Sequence, residues 1–561
     1  MAIQAVPRAS AAKCAYHLKQ LRKFFARADD AAFLQMIWAV DALQSGREAA
    51  AKRFIVSYPP VAAVTSSLQS PLGIHRWELE TLLIQLLLTP KQEFHVEGNL
   101  ILDCSKFDSI RETVTRLRAL ENVESANYLA GKFSIWNEMH RIAQRQFHWQ
   151  RGYFNTPQIY RYAYVYAQGQ CAEYFQRTHG FAITDLIFTG FGLFAASQAS
   201  PWVSRQTSIP EIGLTDEIVQ GALPLMSSSL DEARAETAAM IEKVNKEHGK
   251  PIPTAHLPSV LRKSPLISAE NKPNQFTSPI PELILLRVTA GLYYDLIQGG
   301  QALLTEANDR FEQYTTDLIS VMMERFDVSR AYRYGAKGAQ IDTPDVLVKE
   351  NGKIVVAAEC KATKLTYLAQ FSEDPFEAAK HQYAQIAKGV FQLWRFFSHI
   401  RRGILKEELA PEAHALVFTL DAFLTMARDP HDKVFAEAKS LADDDGNITE
   451  EDRRPVVICP VHDLEAIFAK ATEDSFLASL KASYEEKYSG WMLREVHRDS
   501  QAAREFGPAK RYPFDLDEVL PWWSRFDAGD EEAEEAVALT ESRYTAAMSA
   551  RICAGHPRVG G

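Results

Sequence analysis

Two short apolar runs near the middle of the chain constrain its fold most, because together they predict a β-hairpin. The first run is Thr343–Val348, the second is Ile354–Lys361, and both contain several β-branched residues. Between them lies Asn351-Gly352, a dipeptide that favours a tight turn between antiparallel strands. The sequence therefore predicts two neighbouring strands joined by a short loop.

Charged residues lie at the open end of this predicted hairpin. Asp345 stands near the start of the first strand, and Glu359 and Lys361 stand at the end of the second. Alternate residues of a strand point to the same face, so Glu359 and Lys361 share one. The loop length decides whether Asp345 joins them, because a shift of one residue moves a whole strand's side chains to the opposite face.

The sequence allows two lengths for the loop of this hairpin. A two-residue loop would set Asp345 opposite Ala358, and Asp345 would then face away from Glu359. A three-residue loop, Asn351–Lys353, would set Asp345 opposite Glu359. We favour the three-residue loop, or another loop of odd length. The apolar face would then consist of Val346, Val348, Ile354, Val356 and Ala358, and the other face of Asp345, Leu347, Val355, Ala357, Glu359 and Lys361.

Two acids and a lysine at one end of a hairpin suit metal-dependent hydrolysis of phosphodiester bonds. Mg²⁺ prefers oxygen ligands and keeps several waters, so two carboxylates and a phosphate are enough to hold it. The ion polarises the phosphoryl oxygen and lowers the pKa of a bound water. Lys361 would position the nucleophile and stabilise developing negative charge. The pattern predicts Asp345, Glu359 and Lys361 as catalytic residues, with the two acids as metal ligands.

This arrangement resembles the PD-(D/E)XK nuclease superfamily over roughly residues 300–470. The resemblance implies an α/β restriction-endonuclease-like core, that is, a mixed sheet flanked by helices. It implies Mg²⁺ or Mn²⁺ as the cofactor, DNA rather than RNA as the partner, and a role in restriction or antiviral defence. It also implies two further metal ligands: the backbone carbonyl of Cys360, and Glu312 as a supporting acid on a helix predicted from Glu306 to Phe326.

Candidates for nucleic-acid contact follow the hairpin. Lys364 comes first, and a helix predicted over Pro375–His399 then carries Gln382, Gln385 and Gln392, which resemble the glutamines beside the site in many members of that superfamily. Arg401 and Arg402 form one candidate wall of a basic groove. An equally good interpretation of these arginines is a helix C-terminus, where cations oppose the helix dipole. Strands predicted at His414–Leu420 and Pro455–Cys459 would extend the sheet.

Composition limits the function classes. The chain has 561 residues and a net charge of −10, so any DNA contact must come from a local basic groove rather than from bulk charge. Its six cysteines are scattered, which indicates neither a zinc site nor a disulfide framework. We expect reduced thiols and, without a signal peptide, a cytoplasmic protein. The most apolar stretch, Ile183–Ala196, contains Asp185 and is too short to span a bilayer, so we expect a buried helix and no membrane partner.

A chain of this length predicts two or three domains. Residues 1–200 are expected to be mostly helical and to offer a surface for a regulatory partner or a second copy of the chain. Residues 201–281 are rich in proline and serine and predict a connecting segment. Residues 282–470 would be the nuclease-like domain, opening with a helix over Glu282–Gln298, and residues 471–561 a helical C-terminal extension. The N-terminal helices are expected at Ala11–Arg27, Ala31–Asp41, Trp77–Leu88, Phe107–Leu120 and Ile135–Gln146.

Some features of the sequence allow more than one interpretation. The segment His140–Tyr153 mixes cations with aromatic rings, which suits phosphate contacts and base stacking; we favour a helix packed against another domain, with arginine stems over rings. One functional alternative is a nuclease-fold protein that binds nucleic acid or a partner without cleaving. The intact set of Asp345, Glu359 and Lys361 argues against it. A second is a helical scaffold with an unrelated α/β domain, which is favoured if Asp345 and Glu359 lie far apart.

Overall fold

The computed structural model describes residues 11–63, 70, 72–91, 102–129, 135–153, 155–205, 208–269, 272–338, 340–372, 374–422, 428–500 and 507–526. Within them the α-helices α1 to α21 are Ala11–Phe25, Asp30–Gln44, Glu48–Ala51, Arg76–Leu87, Phe107–Leu129, Ile135–Arg151, Thr156–Tyr166, Gly169–His179, Ile183–Ala199, Asp216–Ala222, Leu230–His248, Glu282–Arg287, Leu292–Leu296, Gln301–Met322, Tyr367–Phe371, Pro375–Ala378, Lys380–Arg401, Arg428–Asp445, Val461–Phe468, Glu473–Ala482 and Leu493–Asp499. The strands β1 to β11 are Trp202–Ser204, Ser227–Ser229, Leu266–Ala269, Lys272–Thr277, Asp327–Arg330, Arg333–Tyr334, Ile341–Asp342, Val346–Glu350, Lys353–Lys361, Leu409–Thr419 and Val456–Pro460.

A five-stranded mixed sheet lies at the centre of the C-terminal half, with the order β11-β10-β9-β8-β5. Strands β9, β10 and β11 are parallel to one another, and β8 is antiparallel to both of its neighbours, β9 and β5. The parallel connections pass through helices, as parallel strands require. The predicted strands at 343–348, 354–361, 414–420 and 455–459 are all present. The short edge strand β5 was not predicted.

The β8–β9 hairpin has a two-residue turn, so the prediction of a three-residue loop is wrong. Asn351 and Gly352 have φ of 52° and 78°, the left-handed conformations that such a turn needs. Glu350 pairs with Lys353 at the turn, but Val348 pairs with Val356 further on. Val355 is therefore an extra residue, a β-bulge that shifts the register by one. Beyond the bulge Val346 pairs with Ala358, which is the register that the three-residue loop was meant to give.

The bulge also changes which residues share a face. Val355 and Val356 both pack into the cluster that contains Val346, Val348 and Ala358. Ile354 instead joins the opposite cluster, with Leu347 and Ala357. Ile354 and Val355 have thus exchanged the faces predicted for them, because two successive residues at a bulge point the same way.

Helices cover both faces of this sheet. On the first face, α14 packs through Phe311, Leu318 and Ile319, the apolar positions of its amphipathic pattern. On the second face, α17 lies along β9, and α18 packs against α17. The predicted helix over Pro375–His399 is divided, since α16 ends at Ala378 and α17 begins at Lys380. The result is an α/β core in which a mixed sheet is flanked by helices.

The N-terminal region is helical as predicted, and it is not a separate body. The five helices that were predicted to begin at residues 11, 31, 77, 107 and 135 are all present. One buried apolar cluster runs from Leu21 through the first face of the sheet to Trp522. Along this cluster α7 lies against α14, and α9 lies against α12. A second buried cluster lies on the other face of the central sheet, so the strands separate it from the first cluster.

The segment 201–281 has regular structure and is more than a connection. It contributes a four-stranded sheet of order β1-β4-β3-β2 and the helix α11. Its prolines lie mainly between these elements, where an absent N–H group costs nothing. The helix predicted over 282–298 is broken into α12 and α13. Of the predicted C-terminal extension, 471–500 and 507–526 are described, and α20 and α21 are its helices; the remainder lies outside the described residues.

Ile183–Ala199 forms the predicted buried helix, α9, with Leu186, Ile187 and Phe188 almost fully inaccessible. Within the described residues, no single helix has the length and apolar composition to cross a membrane. One bent pair, α8 with α9, passes the same criteria when the two helices are taken together, and the bend between them is 75°.

Candidate active site

Asp345 sits directly before β8 and is held against the end of β9. Its Oδ2 accepts a hydrogen bond of 2.7 Å from the backbone N–H of Cys360. Extending the register of Val346 and Ala358 by one residue places Asp345 opposite Glu359. The hairpin therefore brings the two predicted metal-ligand carboxylates together, and the alternative of a scaffold in which they lie far apart is not supported.

Glu359 and Lys361 form a buried ion pair on the same face of β9. Lys361 Nζ donates to Glu359 Oε2 at 2.7 Å, and the two side chains are 16 % and 3 % exposed. Burial raises the pKa of Glu359 to about 7, with Asp345 and Glu312 adding to the rise and Lys361 opposing it. Burial alone would lower the pKa of Lys361, but Glu359 and Asp345 raise it. Lys361 is thus held as a cation beside the acids.

Glu312 belongs electrostatically to the same group of acids. It lies on α14, one residue after the buried Phe311. Burial raises the pKa of Glu312 to about 7, and the next cause is the charge of Asp345; Arg330 opposes the rise and donates to Glu312 Oε2 at 3.3 Å. Glu312 does not point into bulk solvent, since its side chain is 24 % exposed. Its predicted place beside Asp345 and Glu359 is consistent with this geometry.

The donor set suits a hard cation, although side chains alone do not complete a metal site. The hydrogen bonds described above engage Oδ2 of Asp345 and Oε2 of Glu359. Carboxylate oxygens without a proton donor are what Mg²⁺ or Mn²⁺ takes as ligands. In that same part of the chain, no three side chains of His, Cys, Asp and Glu lie close enough to hold a metal ion by themselves. The Cys360 carbonyl and water would have to supply the remaining ligands.

The helix α17 reaches the site at Gly389. A Cβ placed on Gly389 would lie 3.2 Å from Lys361 Cε, 3.4 Å from Val417 Cγ2 and 3.6 Å from Glu359 Cβ. The missing side chain therefore lets α17 approach β9 where Glu359 and Lys361 lie. Gln385 and Gln392 stand four and three residues from Gly389, and Gln382 seven, so all three share its helix face. These glutamines are partly exposed.

The other predicted nucleic-acid contacts are placed elsewhere. Lys364 is turned inward: its Nζ donates to the Ala290 carbonyl at 2.8 Å and lies 3.3 Å from Asp421 Oδ2. Arg401 donates to both carboxylate oxygens of Asp452 at 2.8 Å, so it fastens the end of α17, as the helix-terminus interpretation expects. Arg402 is exposed. Both arginines stand twelve or more residues beyond Gly389, about 18 Å along the helix axis.

Sequence reasoning missed two residues that shape the site. Gly389 left a signal, because an isolated glycine inside an amphipathic helix costs about 1 kcal/mol relative to alanine and usually marks a close approach. Arg330 left none, since its role depends on β5 pairing with β8. It donates to Gln313, Asp309 and Glu312, and so ties the edge strand to α14 beside the acids.

No family model matches this chain. The search of curated proteins finds no match, and the search of solved structures finds none either. The function proposed below is therefore based on the geometry of the site.

The raised pKa values of Glu312 and Glu359 predict a pH-dependent stability in metal-free buffer. Each folded-state pKa of about 7 lies above the ordinary glutamate pKa of about 4.5, so the stability that protonation gives is present below pH 4.5 and is lost as the pH rises to 7. We expect the free energy of unfolding of Glu312→Gln, relative to wild type, to rise by up to about 3 kcal/mol over that window. Urea unfolding with EDTA at several pH values measures it.

The matched control for that experiment is Glu408→Gln, because Glu408 is 76 % exposed and pairs with Lys353 at 3.6 Å. Its stability relative to wild type should stay constant over the same pH range. A difference between Glu312→Gln and wild type that does not change with pH would show that Glu312 is not part of a coupled acid group.

Substitution at Gly389 tests the close approach of α17. Gly389→Ala should be tolerated, because the new Cβ meets the flexible Lys361 chain and alanine favours the helix. Gly389→Leu should cost about 1–3 kcal/mol by overpacking against β9. Lys388→Leu, one residue earlier and exposed, is the control. Equal unfolding free energies for Gly389→Leu and Lys388→Leu would contradict the packing described above.

Proposed function

We propose that this protein is a metal-dependent nuclease of the PD-(D/E)XK type that hydrolyses phosphodiester bonds in DNA. The observation that carries the proposal is the meeting of Asp345, Glu359 and Lys361 at one end of the β8–β9 hairpin, where register and charge coupling join them. The mixed sheet flanked by helices supports a restriction-endonuclease-like core. Perturbed acids that are grouped in this way are typical of active sites.

The residues have distinct roles in this proposal. Asp345 and Glu359 would hold Mg²⁺ or Mn²⁺ with the Cys360 carbonyl, and Glu312 would support them. When bound, the ion supplies charge stabilisation at the phosphoryl group and an activated water. Lys361, fixed by its 2.7 Å contact with Glu359, would stabilise negative charge that develops on the phosphate.

A binding protein without cleavage is the second candidate, and two observations favour it. Lys361 is already paired with Glu359, and among the described residues no set of three side chains forms a metal site. Activity and metal binding separate the two candidates. A cytoplasmic location remains part of the proposal, supported by the free state of the five described cysteines.

Cleavage assays test the proposal. Plasmid DNA, single-stranded DNA and RNA are incubated with the purified full chain, with Mg²⁺, Mn²⁺ or EDTA. We expect metal-dependent cleavage of DNA that Asp345→Ala, Glu359→Ala and Lys361→Ala each abolish while the circular dichroism spectrum stays unchanged. Asp342→Ala, an exposed acid three residues before Asp345, should cut like wild type. Near wild-type cutting by any two of the three site variants would refute the assignment.

Metal binding gives a second, independent measurement. Mn²⁺ that binds only the folded site stabilises by RT ln(1 + [L]/Kd), about 1–3 kcal/mol at tens to a hundred times Kd. For a chain of this length the rise in Tm would be on the order of one or two degrees. Asp345→Asn should relieve repulsion with Glu359, raise the metal-free Tm slightly and reduce the shift caused by Mn²⁺.

Calorimetric scans of wild type, Asp345→Asn and Asp342→Asn, each with and without Mn²⁺, compare these shifts. Asn can still accept the Cys360 hydrogen bond, so the fold is preserved. If Mn²⁺ raises the Tm of wild type and Asp345→Asn equally, then the ion binds elsewhere and the site is wrongly assigned.

A further inference from the structure

A cavity of about 410 Å³ lies at the carboxyl edge of the parallel strands, apart from the acid group. Lys364, Asp421 and His462 line it, and each follows the end of one parallel strand: β9, β10 and β11 respectively. The opposite wall comes from α6 and α7 of the N-terminal region. In open α/β sheets, ligands bind in crevices outside the carboxyl ends of the strands.

The lining of this cavity is rich in cations. It contains five, Arg151, Arg161, Arg262, Lys364 and Arg494, against two carboxylates, Asp421 and Glu465. Three of these cations are already neutralised by ion pairs: Arg161 with Glu465, Lys364 with Asp421, and Arg262 with Glu80. Arg494 lies 3.3 Å from Glu495 and is 38 % exposed.

Arg151, the last residue of α6, is different. Among the described residues it forms no ion pair with a carboxylate. Its Nη1 lies 2.6 Å from His462 Nε2 and its Nη2 lies 3.4 Å from His148 Nδ1. Burial, together with Arg151, lowers the pKa of His148 to about 3 and that of His462 well below its usual value, so both rings are neutral. Arg151 is therefore a cation held between two neutral rings.

A largely buried charge without a counter-ion costs folding free energy. Burial lowers the pKa of Arg151 and Arg494 adds to this effect, while the field of the neighbouring Asp463, followed by Tyr153 and Tyr162, partly offsets it. An anion in the cavity would supply the missing charge. The arginine fork binds phosphate oxygens through two parallel hydrogen bonds.

The remaining lining fits the rest of a nucleotide. Tyr153, Tyr162 and Tyr294 contribute aromatic surface to the cavity, and Tyr294 is 62 % exposed. Aromatic rings stack on bases of any sequence. The volume lies within the range of small-molecule sites, about 300–1,000 Å³. One unpaired arginine suits one phosphate group, whereas a strand of nucleic acid would meet a row of unpaired cations.

We propose that this cavity binds a phosphorylated small molecule of nucleotide size, with the phosphate on Arg151 and the base against the tyrosines. The site is separate from the acid group, and it goes beyond the proposed nuclease function. It lies close to that group, since Lys364 follows Lys361 by three residues, at most about 11 Å along the chain.

Calorimetric titration of the metal-free full chain tests the site. The probes are inorganic phosphate, pyrophosphate, the four ribonucleoside 5′-monophosphates and a 5′-phosphorylated oligonucleotide, with adenosine and succinate as probes that lack phosphate. We expect at least one nucleotide to bind wild type with a Kd below about 1 mM, and Arg151→Gln to weaken it about tenfold or more. Arg333→Gln, which changes an exposed arginine of β6, should bind like wild type.

Four results would overturn the proposal. The first is that no phosphate probe binds wild type, and the second is that wild type and Arg151→Gln bind the nucleotides with equal affinity. The third is that adenosine or succinate binds more tightly than the nucleotides. The fourth is that the 5′-phosphorylated oligonucleotide is the only probe that binds in a way that depends on Arg151. The last result would assign the cavity to a strand end. We expect Arg151→Gln to keep the wild-type circular dichroism spectrum, because the change removes a buried charge that has no carboxylate partner. Competition between a nucleotide and inorganic phosphate for wild type tests the phosphate contact without any variant.

Discussion

The β-bulge at Val355 is the constraint on which the candidate active site depends. The two-residue turn at Asn351-Gly352 pairs Glu350 with Lys353 at the tip of the β8–β9 hairpin. If this pairing continued unchanged, Asp345 and Glu359 would face opposite sides of the sheet. The extra residue in β9 shifts the pairing of the two strands by one position, and this shift brings both acids to one face of the sheet. The strands on either side of the bulge are buried against helices, so the packing of both faces holds the shifted register in place.

Once the acids share a face, the surroundings set their charge. Glu359 is nearly inaccessible and would be costly as an isolated anion, but Lys361 pairs with it. Glu312 receives Arg330 from the edge strand. Three carboxylates thus meet two cations, and two of the acids keep a pKa near 7 because of burial and mutual repulsion. A divalent cation would relieve that repulsion, which is the physical link between this geometry and metal-dependent chemistry.

Periodicity predicted five helices of the N-terminal region, α9, α14 and four strands of the central sheet. The residue types singled out the two acids that the β8–β9 hairpin brings together. The register was predicted correctly for the wrong reason, because nothing in Ile354-Val355-Val356 distinguishes a bulged from a regular strand. Arg330 could not be assigned, since its role arises from long-range pairing. The sheet in 201–281 was missed because short strands among prolines lack a clear alternation. Gly389 could have been noticed, as a glycine within a strongly amphipathic helix.

The N-terminal region packs directly on the half of the chain that contains the central sheet. Arg161 on α7 pairs with Glu465 on α19, and Tyr314 on α14 donates to the same carboxylate at 2.6 Å. Gln144 on α6 donates to the Ala422 carbonyl just beyond β10. These contacts hold α6 and α7 over the carboxyl edge of the parallel strands, which is why Arg151 reaches a cavity that the sheet alone would leave open. A ligand bound there would contact both halves of the chain at once, and its binding free energy would stabilise their packing.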